Sequence, residues 1–251
     1  MGYYFLYHFK YTIIMIKCLQ GDYMKEQFEL LLKELNIDLT QKMYEQFNKY
    51  YEILIEWNNK INLTAITEFD EVFIKHFYDS LCLVKGIKLS NQSLLDVGSG
   101  AGFPSIPLKI IYENLDITII DSLNKRINFL KIISKELKIE VKLIHGRAEE
   151  HKNKNHYELV TARAVSNLQI LSELCIPFVK RGGNFISLKG SNYKEELENS
   201  SNAIKILGGK LNKVIEYDIK GNGRSLIIID KVKETNNKYP RIYGKIKSNP
   251  L

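Results

Sequence analysis

Three glycines, Gly98, Gly100 and Gly102, occupy alternate positions in LLDVGSGAGFPSIPLKI (94–110), where an apolar strand ending in Asp96 runs into a turn and then an apolar helix. Glycine permits positive φ and puts no side chain between main chain and ligand, so such a turn at the carboxyl end of a strand can hold an adenosine-containing cofactor. A dinucleotide fingerprint wants Gly-x-Gly-x-x-Gly, and this turn is one residue short, a poor fit to a pyrophosphate. A second acid stands where ribose hydroxyls would lie. The β-branched run DITII (116–120) delivers Asp121 to its carboxyl end, roughly 20 residues after the first glycine. The same carboxylate can instead cap a helix, since Ser122 and Asn124 follow and Lys125 and Arg126 begin one.

The elements that must position these residues are legible as periodicities. Helices are predicted over about 25–35, 40–60 and 68–85, from apolar residues such as Phe47, Tyr51, Leu54 and Ile55 at helical spacing. They form a helical cap ahead of an alternating domain. Strands are predicted at 94–97, 116–120, 140–144, 157–161, 183–189, 210–218 and 224–231, with helices at 104–113, 123–138, 167–179 and 193–207. Repeated βα units imply a doubly wound α/β domain, a parallel sheet with helices on both faces. The last two strands, split by Gly221-Asn222-Gly223, read as a hairpin that makes one edge strand antiparallel. The chain divides into an atypical extension (1–23), the cap (24–88), the α/β domain (89–233) and a basic tail (234–251) rich in Asn, Lys and Pro, expected to be mobile.

At 251 residues and 45% hydrophobic content the chain can bury a full core. A net charge of +7 and a pI near 9.0 favour an anionic partner, although abundant Lys, Ile, Asn and Tyr also look like the coding bias of an AT-rich genome. Cys18, Cys82 and Cys175 are odd in number and far apart, which suits reduced thiols in a cytoplasmic protein rather than a disulfide framework. His151 and His156 have finger-like spacing but no cysteine pair to complete a metal site. The first residues, MGYYFLYHFKYTIIMIKCLQGDY, are too broken by His8, Lys10 and Lys17 to span a membrane and lack a small-residue cleavage site. At Met24 the pattern changes to a regular amphipathic helix, and the expectation is that Met24 is the natural start.

The Gly-x-Gly-x-Gly turn behind Asp96 resembles the first motif of the S-adenosylmethionine-dependent methyltransferases. Several further motifs occur with it in order: Trp57-Asn58-Asn59-Lys60-Ile61-Asn62-Leu63-Thr64, His76-Phe77-Tyr78-Asp79-Ser80, Phe103-Pro104 with Ile106-Pro107, Asp121-Ser122-Leu123-Asn124-Lys125-Arg126 and Ala162-Arg163-Ala164. Together they are similar to the glucose-inhibited division protein B family, the bacterial small-subunit ribosomal RNA guanine-N(7) methyltransferases. The resemblance runs from about Met24 to the end, including Lys238-Tyr239-Pro240-Arg241 and Gly244. It implies a Rossmann-like methyltransferase fold, a seven-stranded and mostly parallel sheet with an antiparallel edge strand, preceded by the helical cap. It also implies S-adenosyl-L-methionine as cofactor, held by Gly98 and Phe103 in the turn, by Ala148 and Glu149 after the third strand, and by Arg163 after the fourth; the turn and the spacing of the second acid add Gly100, Gly102, Asp121 and Ser122 to the expected cofactor residues. Main-chain N–H groups around Phe103 would face the methionine carboxylate, and Ala148 is small enough to admit adenine. Glu149 reads equally as a surface acid before Glu150. Arg163, between a strand and an apolar helix, needs an anionic partner, in the cofactor or in RNA.

The implied reaction is methyl transfer to N(7) of a guanine in small-subunit (16S) ribosomal RNA, free or in the small ribosomal subunit. That nitrogen carries a lone pair at neutral pH and attacks in line without a general base, so no catalytic acid or base is assigned. Methylation of an exocyclic amine would call for Asp/Asn-Pro-Pro-aromatic after the fourth strand, where this chain has Thr161-Ala162-Arg163-Ala164. Carbon-five methylation of pyrimidines needs a cysteine, and Cys175 sits inside an apolar helix. His76, Asp79 and Ser80 lie on one helix and cannot form a triad; they read as a polar seam between cap and sheet, bordering the cofactor cleft. Asn58, Asn62 and Thr64 read as a helix-ending hydrogen-bond network. RNA contact is expected to be electrostatic, through Lys125, Arg126, Lys189, Arg224 and Arg241, with Lys238, Lys245 and Lys247 in the tail. Two other classes share parts of this pattern: a small-molecule methyltransferase, and a ribosome-binding protein without catalysis.

Overall fold

A computed structural model describes residues 23–163 and 166–251. The expectation that residues 1–23 are a non-native extension, and Cys18 with it, falls on residues outside these, Tyr23 excepted.

The cap is built from α1 (23–34), α2 (Gln41–Ile61) and a third helical stretch, α3, which starts as Phe69–Val72, widens into a π-helical run over Phe73–Tyr78 and closes with Asp79–Leu81. Thr40 starts α2 by accepting from the Met43 amide, and Asn62 ends it in the left-handed region at φ 49°. The buried face of α2 carries Tyr44, Phe47, Tyr50, Ile53 and Leu54. Phe47 and Phe73 both pack against the Phe28 ring, each with centroids 5.1 Å from it, so the three cap helices share one aromatic core.

The sheet follows, with β1 (Ser93–Val97), β2 (Asp116–Asp121), β3 (Lys142–His145), β4 (Tyr157–Arg163), β5 (Val179–Gly190), β6 (Gly209–Ile219) and β7 (Asn222–Lys231). Their order is β3-β2-β1-β4-β5-β7-β6. The first five are mutually parallel, and the antiparallel departure lies at one edge, where β7 enters between β5 and the outermost strand β6. Helices α4 (Ser105–Ile111) and α5 (Asn124–Leu137) cover one face together with the cap, while α6 (Leu168–Cys175), α7 (Tyr193–Ile206) and α8 (Tyr243–Ser248) cover the other.

Three boundaries differ from the sequence reading. The hairpin turn is Lys220-Gly221, with φ 50° and 77°, because Asn222 and Gly223 already pair with Ile219 and Asp218. The helix expected through 179 stops at Cys175, with Pro177 in the tight turn that follows, and β5 therefore begins at Val179.

The third difference is the tail, which is docked rather than loose. Tyr239 and Ile246 are buried, Lys154 donates to the carbonyls of Asn237 and Tyr239, and Gln169 donates to the carbonyl of Leu251. Arg241 grips Glu173 of α6 with Nε at 2.8 Å and Nη2 at 2.6 Å, and the Glu173 side chain is only 1% exposed. Buried Glu173 explains the docking, since an acid inside an apolar helix needs a cation, and the fork of Arg241 supplies it. Arg241→Lys keeps the charge and loses the two-pronged contact, an expected cost of roughly 1.5–3 kcal/mol read as a lower Tm in thermal unfolding.

Candidate active site

The carboxyl ends of β1, β2, β3 and β4 open into one cavity of about 520 Å³. Its floor is the glycine turn, where Gly98, Gly100 and Gly102 have φ of 72°, 63° and 99°. The turn is pinned from both sides. The Gly100 amide donates to Asp121 Oδ2 at 3.2 Å, and Tyr50 of the cap donates its hydroxyl to the Ala101 carbonyl.

Of the nine residues expected to hold a cofactor, eight line this cavity: Gly98, Gly100, Phe103, Asp121, Ser122, Ala148, Glu149 and Arg163. Gly102 does not. A Cβ there would lie 2.6 Å from Ile106 Cγ1 and 2.9 Å from both Leu130 Cδ2 and Tyr50 Oη, so Gly102 lets the turn seat on α4, α5 and the cap. The Phe103 amide, expected to face a carboxylate, donates to the Ser99 carbonyl at 3.2 Å, because the turn closes on itself there. Asp121 is buried with both oxygens engaged: Oδ1 accepts from Leu123 N at 2.9 Å, and Oδ2 accepts from Gly100 N and faces Arg126 at 3.4 Å. It thus shapes both the residue that starts α5, Leu123, and the glycine turn. Glu149 turns inward, its side chain 7% exposed and 3.8 Å from Arg147, whereas Glu150 faces solvent.

Arg163 finds its anion inside the protein. Its Nη1 lies 3.3 Å from Asp79 Oδ2, and Asp79 Oδ1 accepts from the Tyr217 hydroxyl at 2.9 Å with Arg224 Nε 3.7 Å away. One carboxylate of α3 therefore binds β4, β6 and β7. The seam of His76, Asp79 and Ser80 is present as read, with His76 on the cavity wall and the Ser80 hydroxyl 3.3 Å from Arg163 Nη1. Asn58 Oδ1 accepts from the amides of Leu63 and Thr64, the helix-ending network expected at the close of α2.

Among the basic candidates, Arg126 lines the cavity, Arg224 stands beside it at Asp79, and Lys125 is exposed at the start of α5. The other two are tied up internally. Lys189 is bound to Glu196 Oε2 and the Ser166 carbonyl, both at 2.6 Å, and Arg241 is held by Glu173.

Several lining residues were not singled out as cofactor or RNA contacts from the sequence: Leu63, Thr64 and His76 from the cap, Ser99 in the turn, Arg147 after β3, and Tyr243 of α8, whose ring lies 5.7 Å from the Arg147 guanidinium. Only Thr64 and His76 left a signal, as polar positions in motifs of otherwise apolar helical segments. Tyr243 left none, because its place depends on how the tail docks.

Burial and the adjacent Arg163 push His76 down to about 3. Asp96, beneath the turn and fully buried, is pushed up to about 8 by desolvation against the opposing Ser105 hydrogen bond of 2.6 Å. A His held neutral in the fold but protonated below about 6.5 when unfolded costs stability as pH falls. Relative to His76→Asn, the wild-type protein is therefore expected to lose about 1.6 kcal/mol between pH 6.5 and pH 5, measured by denaturant unfolding at both values.

The cavity suits S-adenosylmethionine. Ser99 Oγ is buried without a partner at its edge, and a Cβ on Gly100 or Gly146, both lining residues, would meet no protein atom within 4 Å. A loop with open glycines and an unsatisfied hydroxyl, joined to Asp121 and Ala148 at successive strand ends, can receive a sulfonium nucleoside's polar and adenine parts. Sheet order, antiparallel edge and glycine turn together define a Rossmann-like S-adenosylmethionine-dependent methyltransferase. The fold is shared with the crystal structure of M. jannaschii TYW2 in complex with AdoMet, at TM-score 0.50 and 18% identity over 58% of this chain and 72% of that one. It is shared too with YcgJ of Bacillus subtilis, at TM-score 0.51 and 11% identity over 63% and 100%.

Residues 43–227 match the family described as rRNA small subunit methyltransferase G. Proteins named ribosomal RNA small subunit methyltransferase G are 50% identical in Streptococcus gordonii and 53% identical in Streptococcus thermophilus strain CNRZ 1066, each over 90% of this chain and 99% of the relative. The chain belongs to this family: it is an S-adenosylmethionine-dependent methyltransferase of small-subunit ribosomal RNA.

Proposed function

We propose that the methyl acceptor is N(7) of a guanine in 16S ribosomal RNA. The observation that carries this reading is that His76, Asp121 and Arg163 of the cleft are already engaged, so that none of these three stands ready to take a proton from an acceptor. Both ring nitrogens of His76 are hydrogen-bonded, both oxygens of Asp121 accept, and Arg163 is paired with Asp79. Cys175 is buried in α6 with its thiol pushed up by desolvation. A nucleophile that needs no deprotonation fits such a site, and guanine N(7) already carries its lone pair.

S-adenosylmethionine supplies an electrophilic methyl on a sulfonium. The chain's contribution is then position: the glycine turn and Asp121 fix the cofactor half, and the cap wall fixes the acceptor half. Held by the glycine turn and Asp121, the cofactor would supply its methyl to N(7) and keep the sulfur–methyl bonding pair as a thioether, leaving a cationic 7-methylguanine. We assign the RNA backbone contacts to Lys125, Arg126 and Arg224, which stand at or beside the cleft, and so expect binding that weakens as salt rises. No helix among the described residues is long and apolar enough to cross a membrane. A ribosomal RNA substrate supports a cytoplasmic location, with the small ribosomal subunit as partner.

The test is label transfer. Small subunits from cells lacking the gene are incubated with the protein and methyl-labelled S-adenosylmethionine, and the RNA is digested to nucleosides. Label is expected in 7-methylguanosine; label in another nucleoside overturns the assignment of acceptor atom. Absence of label despite cofactor binding would point to free RNA or a small molecule.

A further inference from the structure

We infer that the Thr64 hydroxyl reads the acceptor base, donating a hydrogen bond to O6 of guanine. This deepens the guanine-N(7) reading and rests on it.

The cleft has two halves. The ends of β1, β2 and β3 with the glycine turn form one, where the cofactor candidates gather. The cap walls the other, with Leu63, Thr64 and His76 facing it. The cofactor needs the first half, and the second is left for the acceptor.

One residue fixes the direction of the hydrogen bonds in that second half. Arg163 carries donors only, and its Nη2 lies 2.6 Å from Nδ1 of His76. Nδ1 must therefore accept, which puts the proton of the neutral imidazole on Nε2. Nε2–H donates to Thr64 Oγ1 at 2.7 Å, and the same oxygen accepts from the Ile66 amide at 3.0 Å. A hydroxyl accepts twice and donates once. Both acceptor places of Thr64 are filled, so its one remaining capacity is to donate. Thr64 is half-buried on the cleft wall, and a chain of donors beginning at a guanidinium polarises its O–H bond.

That donor distinguishes the purines. Beside N(7) guanine presents O6, an acceptor, whereas adenine presents an amino group, a donor. A hydroxyl that can only donate pairs with the first and opposes the second.

Thr64→Ser keeps the hydroxyl and Thr64→Val removes it. On small subunits at saturating S-adenosylmethionine, the serine enzyme should stay within about threefold of wild type in single-turnover rate, while the valine enzyme should lose roughly 30- to 100-fold. Calorimetric affinity for S-adenosylhomocysteine should be unchanged in both. A valine enzyme with wild-type rate overturns the inference. Valine also strands the His76 and Ile66 donors, so a second measurement uses the wild-type protein alone. Loaded with S-adenosylhomocysteine, it should broaden the NMR lines of guanosine and inosine, which carry O6, and leave those of 2-aminopurine riboside, which keeps N(7) but lacks O6, sharp. Equal broadening of all three overturns the inference. Wild-type label in a nucleoside other than 7-methylguanosine removes the guanine reading instead, and Thr64's assignment with it.

Discussion

Gly100→Asp is expected to give a folded protein that no longer transfers methyl groups. Gly100 sits at φ 63°, a region that Asp tolerates better than most residues, and a Cβ there meets no protein atom within 4 Å. The fold therefore has room for the side chain. The room belongs to the cradle that would hold the cofactor, and the new carboxylate would stand beside Asp121, whose Oδ2 accepts from the Gly100 amide at 3.2 Å. Filling the cradle and crowding two negative charges should weaken S-adenosylhomocysteine binding by roughly 100-fold or more, with label incorporation lost in step. The thermal transition should move by only a few degrees. Full binding by this variant would remove the turn from the cofactor site. Gly102→Ala makes the contrast, since its methyl would collide with Ile106, Leu130 and Tyr50 and the loss should appear in stability instead.

Asp79→Asn is expected to have the largest effect on stability, roughly 3–5 kcal/mol, because it leaves buried guanidinium charge without its counterion. The Asp79 and Arg163 side chains are 6% and 15% exposed, and Arg224 shares the same carboxylate. Burial already pulls the Arg163 pKa down and the Asp79 charge opposes that pull, so removing the charge exposes the full cost. Activity should fall as well, since Arg163 sets the tautomer of His76 and with it the cleft wall. Urea unfolding gives the first quantity and single-turnover label transfer the second. Asp70→Asn, an exposed acid on the same helical stretch, should stay within about 0.5 kcal/mol of wild type, and an Asp79 variant that did the same would show the network to be dispensable.

The π-helical run Phe73–Tyr78 is the local departure that makes this network possible. It widens the helix where His76 sits and hands on to Asp79 and Ser80 in the next turn. From sequence the stretch reads as an ordinary helix, because its apolar residues keep near-helical spacing and hydrophobic pattern does not register one extra residue in a turn.

Much of the strand-end side of the cleft was legible in the chain. The turn glycines, Asp121, Ala148 and Arg163 all come at the ends of short apolar strands, and in a parallel sheet the carboxyl ends of neighbouring strands converge at one edge. The acceptor half was only partly legible. Thr64 and His76 were visible as polar residues, but their pairing depends on how the segment after α2 folds against α3, a contact that no local pattern encodes. Glu173 was the one sign that the tail would dock: a carboxylate in LQILSELC cannot be buried alone, yet nothing local says that Arg241 answers it.

The sequence by itself determined the elements, the strand-end positions of the candidate cofactor residues and the family, since periodicity, turn chemistry and ordered motifs are written within short stretches of chain. Only the tertiary structure decided which charges face one another. It gave Asp79 to Arg163 and Arg224, Glu173 to Arg241 and Glu196 to Lys189, and it turned Glu149 and Tyr243 into the cleft. The physical reason is that burying a charge is tolerable only when its partner arrives with it, and in these pairs the partner comes from another element, by a route set by packing alone.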